Sequence, residues 1–219
     1  MIDYNNDKTV KSLESYLSYY TESLDILRSF TIRVTEAESF FKTIDPGSKD
    51  KEFSHIKELM NFCGFLTVSL LDLIVICKNL TSSLLPWERI YNYRLGYLLI
   101  YESNKTYEKH IKQLKEFVAT YPELMDLFRV ISTDLKMFKN GSNFDGAIHD
   151  VRHWTVGHID KDFEKYYNTI KAIDENKAIQ AIVTYIQILT KMQELSKELT
   201  TLLTMKTINE AELISSSNS

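Results

Sequence analysis

The chain has 219 residues, 44% apolar and 26% charged, with only six glycines and three prolines, about a third of ordinary usage. So few turn residues exclude most β-sandwiches, barrels and Rossmann-type sheets. What remains is an all-α chain with enough apolar side chains for a core. A net charge of −4 and a pI near 5.8 exclude a global basic excess, so any nucleic-acid contact has to be local.

From Thr9 to about Lys42, Val10, Leu13, Leu17, Tyr20, Leu24, Leu27, Phe30 and Val34 recur at helical steps of three and four, and Asn6 or Asp7 can cap the start. Pro46 and Gly47 break this helix. The pattern resumes from about Lys51 to Asn79, which predicts an antiparallel hairpin of two long helices. Its most apolar run, Phe65 to Cys77, is short of the roughly 20 residues a membrane span needs and reads as a core helix. Asp72 inside that run needs a partner, and an interior salt bridge to Arg94 is the expectation.

Pro86 opens a third long helix, with a kink or break expected near Ser103 and Asn104. Pro122 starts a fourth, with Gly141 as its expected C-cap. A fifth helix is expected over about Asp145 to Thr155, ending before Gly157. Asp160 or Asp162 caps a sixth, and a seventh runs from about Asn176 to Met205. No repeat or long linker appears, so the expectation is one up-and-down bundle over residues 1–210 with a flexible tail at 211–219.

Cys63 and Cys77 fall on one helix about 21 Å apart and cannot pair, which reads as free buried thiols in a reducing compartment. The opening residues lack the basic and apolar regions of a signal peptide, so the expected location is cytoplasmic and no membrane contact is expected. No P-loop, dinucleotide fingerprint, H-E-x-x-H, G-x-S-x-G or C-x-x-C motif occurs.

Three of the five histidines crowd into GAIHDVRHWTVGHID: His149, His153 and His158, beside Asp150, Arg152 and Asp160. Histidine can shuttle protons near neutral pH, and the planar arginine fork fits a phosphate. Arg152 and His158 would lie about 120° apart on an unbroken helix, so their convergence needs a break near Gly157. His149 and His153, four apart, could instead chelate a metal with a third ligand, or simply be exposed polar positions. Arg94 and Glu102, about 80° apart on the third helix, can line a cleft beside Arg152 or form an ordinary ion pair. The thirteen tyrosines, Tyr91, Tyr93, Tyr97, Tyr101 and Tyr107 among them, read mainly as packing residues, although aromatics interleaved with arginine can stack bases. Trp154 is expected to anchor the motif helix to the core, and Trp87 to seat the start of the third helix.

The stretch from Arg152 to His158 resembles the R-x(4–6)-H signature of HEPN-domain proteins, with His153 at the usually polar position after the arginine. The resemblance covers this short motif, within residues 143–172, and a fold class of helical bundles. It implies metal-independent RNA cleavage of toxin or defence type without a cofactor. His158 is then general base or acid, Arg152 stabilises phosphate charge and His153 orients the phosphate. Arg94, Glu102, Asp150 and Asp160 are the expected substrate-binding or supporting residues. The resemblance also implies a homodimer and, for a toxin, an antitoxin partner. The alternative is a non-catalytic binding or assembly module on the same bundle.

Overall fold

The computed structural model describes residues 7–44, 49–82, 85–157 and 162–217. It is 94% helical, with no strand among the described residues, and the helices alternate up and down as an all-α bundle. The helices are α1 (Asp7–Ile44), α2 (Asp50–Leu80), α3 (Pro86–Thr120), α4 (Met125–Gly141), the single turn α5 (His149–Val151), α6 (Phe163–Lys171) and α7 (Glu175–Ser217). A 3₁₀ turn, Pro122–Leu124, precedes α4, and π-helical turns at Phe144–Ile148 and Arg152–Gly157 flank α5.

The expected hairpin is present. Glu14 pairs with Lys78 at one end of α1 and α2, and Glu38 pairs with Lys57 at the other, which fixes the antiparallel order. α2 sits at the centre, packed by α1, α3 and α7, because apolar residues surround most of its circumference. Leu66, Leu70, Leu73 and Ile74 are sealed in the main core with Tyr93, Ile100, Ile182, Tyr185 and Leu189. By length and composition α2 is also apolar enough to cross a membrane, and 61% of that window is buried inside the bundle. α3 approaches α7 so closely at Gly96 that a Cβ there would stand 2.6 Å from Ile182 Cδ1.

Several local expectations change. α3 is unbroken through Ser103 and Asn104, because both find partners there: the Ser103 hydroxyl meets the Leu99 carbonyl and the Tyr185 hydroxyl, and Asn104 Nδ2 donates to Glu108. Asp72 is exposed on the outer face of α2 and makes no pair with Arg94, so the interior salt bridge is absent. Partial burial still raises its carboxyl above the usual range. The left-handed residue after α4 is Asn143, with φ 51°, rather than Gly141. The expected fifth helix becomes the composite segment 144–157, most of it π-wound. α7 continues to Ser217, past both Met205 and the expected tail boundary at 211.

Candidate functional site

The composite segment is held against α3 by its apolar face. Phe144, Ile148 and Val151 enter the main core, and Thr155 is buried with its hydroxyl donating to the Val151 carbonyl at 2.6 Å. Trp154 is only half-buried, with the Lys165 ammonium 3.2 Å from its ring centroid, so the core anchor is this quartet rather than the tryptophan. Trp87 is likewise exposed at the start of α3. Gly146 has no Cβ because the Asn143 carboxamide lies where one would stand, at 2.7 Å. At the far end the Arg94 guanidinium donates to the Thr155 carbonyl and lies over the Tyr166 ring at 5.4 Å. The last carbonyls of a helical turn lack partners, and a cation is the group that suits them.

Outward from this anchor, Arg152 Nε donates to Glu102 Oε1 at 2.9 Å, and its guanidinium lies 5.3 Å from the Tyr101 ring centroid. The Arg152 side chain is 33% exposed and Glu102 46%. Tyr101 is the hub of a continuous run of rings. It stacks on Phe144 at 5.7 Å and meets His149 at 5.8 Å; His149 stacks on His153 at 5.8 Å; and His153 meets the edge of Trp154 at 4.4 Å. Four cations stand over the run: Lys105 and Arg152 over Tyr101, Lys139 over Phe144 and Lys165 over Trp154. Glu102, Glu108 and Asp145 partly offset them. Partial burial alone would raise the Glu108 carboxyl, but hydrogen bonds from Lys139, Lys105 and Asn104 outweigh it and hold the group down at about 2.

Arg152, Glu102 and His153 thus come together on one face, whereas Arg94 reaches that face only through the Thr155 carbonyl. Asp150 lies 3.4 Å from His149 Nδ1 at the edge of the ring run. It also lines a half-open cleft of about 960 Å³ between α4 and α7, edged by α6. His158 and Asp160 lie outside the described residues. Among the described residues, no three His, Cys, Asp or Glu side chains gather as a metal site, so the pair His149 and His153 finds no third ligand there. Tyr101, Lys105 and Lys139 are the site residues that sequence reading left among packing and surface positions. The steps of four and three from Tyr101 through Lys105 to Glu108 carried the signal.

No family model, curated protein or solved structure matches the chain.

Proposed function

We propose that the chain is a HEPN-like, metal-independent endoribonuclease of toxin or defence type acting on single-stranded RNA. The observation that carries the reading is the half-open ring run Tyr101, His149, His153 with Arg152 lying on it. Unstacked bases bind aromatic and guanidinium planes, and each stacked base contributes about 1–3 kcal/mol. Arg152 spends one N–H on Glu102, and its two terminal amino groups are not bonded to any described residue. They suit a phosphate.

The chemistry follows from the motif. A base takes the proton of the ribose 2′-hydroxyl, the oxygen attacks phosphorus, and the 5′-oxygen leaves with a proton, giving a cyclic phosphate and a 5′-hydroxyl. His158 serves as base or acid, Arg152 stabilises the charge gathered on the phosphate, and His153 orients it. Location in the cytoplasm and an antitoxin partner belong to the same proposal. So does a homodimer with the two motifs facing each other.

The test is RNA cleavage in EDTA, wild type beside His158→Ala and Arg152→Ala, with end-group analysis. Cyclic-phosphate ends from wild type alone are expected, with activity losses of about 10²-fold or more in each variant. No cleavage by the folded protein over a broad RNA panel overturns the reading. One observation favours the non-catalytic module instead: the pair of Arg152 with Glu102 ties α3 to the motif segment. On that reading Arg152→Ala changes only stability, by about 1 kcal/mol.

A further inference from the structure

The cleft behind the motif segment carries polar groups that the fold leaves unsatisfied. Tyr97 is 4% exposed and lines the cleft; its hydroxyl makes no hydrogen bond to any described residue and opens onto the cleft rather than being sealed. Burial, with the Asp174 carboxylate adding to it, pushes this hydroxyl up to about 12, so it stays protonated and can donate. Ser142 Oγ is the lining hydroxyl that is fully buried without a partner among the described residues. A buried hydroxyl left unpaired is costly, and native folds satisfy such groups with a ligand or ordered water.

The walls share one functional group. The exposed carboxamides of Asn143, before the motif segment, Asn168 on α6, and Gln180 and Gln187 on α7 line the cleft, and none is bonded to a described side chain or backbone group, so each is free to exchange water for a ligand. A carboxamide presents a donor beside an acceptor, the complement of a peptide bond. The charges are equally selective. Lys191 pairs with Asp134 at 2.6 Å, Asp174 caps α7 by accepting from the Lys177 amide at 3.0 Å, and Asp150 lies 3.4 Å from His149 Nδ1, so the lining carries one more acidic than basic side chain and both Asp150 and Asp174 keep an oxygen for a further donor. That balance repels phosphates and draws cations. Along α7 the lining runs from Lys177 to Lys191, about 21 Å, the length of roughly six extended residues.

We propose that this cleft binds an extended, lysine- or arginine-containing peptide segment of a partner protein. Its main chain is read by the carboxamides and the Tyr97 hydroxyl, and its basic side chains by Asp150 and Asp174. The proposal does not rest on the ribonuclease reading, which concerns the ring run of Tyr101, His149 and His153.

The experiment is fluorescence polarisation with the full chain and a labelled heptapeptide alternating glycine and lysine. Controls are the same peptide N-methylated along its backbone, an alternating glycine and glutamate peptide, and adenosine as competitor. The lysine peptide alone should bind, and Gln180→Ala/Gln187→Ala should weaken it about tenfold with the helical spectrum and melting temperature unchanged. That double variant alters no charge, and N-methylation removes main-chain donors without altering the charge of the peptide. Binding that ignores both changes is general attraction to an acidic protein and overturns the proposal. So does displacement by adenosine, equal binding of the glutamate peptide, or no binding at about 1 mM.

Discussion

Arg152 illustrates how one side chain can be both held and available. Glu102 accepts a hydrogen bond from its Nε and Tyr101 covers its flat face, while the terminal amino groups meet no partner among the described residues. An ion pair this exposed contributes at most about 1 kcal/mol, so a phosphate can displace Glu102 at small cost. Glu102→Gln should therefore raise affinity for single-stranded RNA severalfold, measured by filter binding at fixed salt, since it removes the competing anion and leaves the shape. Weaker or unchanged binding would place Arg152 in a purely structural role. The two thiols show the opposite arrangement. Burial pushes Cys63 up to about 11 and Cys77 up to about 12, so neither forms thiolate near neutral pH. Native protein should leave a disulfide-exchange reagent unreacted and unfolded protein should titrate two thiols. Free buried cysteines were legible because an apolar helix surrounds both. The partner of Arg152 was only half legible: Glu102 was singled out with Arg94, but its pairing across fifty residues depends on where the motif segment docks.

Among the elements, the close crossing of α3 and α7 has a measurable consequence. At Gly96, alanine would gain up to ~1 kcal/mol of helix propensity but press on the sealed Ile182, and overpacking costs about 1–3 kcal/mol. We expect a net loss of about 1 kcal/mol in urea denaturation, partly recovered when Ile182→Val removes the Cδ1 atom that stands nearest. The bond cluster joining α3 to α4 should respond to acid. The Glu108 carboxyl is held below its ordinary 4.5, so its contribution is complete above that value and is lost as pH falls through about 2. Glu108→Gln should flatten this part of the melting-temperature profile while leaving the neutral range little changed. Helix boundaries set by Pro86, Pro122 and Asp162 were legible, since each fixes a local backbone geometry; Asp162 accepts from the Lys165 amide at 3.0 Å as a cap does. The π turns were not. Apolar spacing at Phe144, Ile148 and Val151 fits an α-helix equally well, and the wider winding shows only in the backbone bonds.

At the scale of the molecule, burial is uneven. α2 buries fifteen residues, whereas α1, longer by a turn or two, buries only Tyr20 and Val34 among its described side chains. Hydrogen exchange should accordingly release α1 first as a cooperative unit and retain the centres of α2 and α7 longest. Simultaneous exchange of α1 and α2 would refute this gradient. The all-α class was legible in turn scarcity and helical period. The packing rank of each helix was also foreshadowed: α1 carries one narrow apolar stripe, and α2 is apolar around most of its girth.

The segment from Phe144 to Gly157 is a single thickness of chain between two different surfaces. His149 and Asp150 are adjacent in sequence, one in the ring run and the other facing the cleft. Asp150 also lies 3.4 Å from His149 Nδ1, so a ligand that draws Asp150 into the cleft would act directly on His149 and on the His153 ring stacked against it. Ligands on the two faces would be thermodynamically linked, and linkage is symmetrical: whatever factor RNA imposes on affinity at the cleft, the cleft ligand imposes on affinity for RNA.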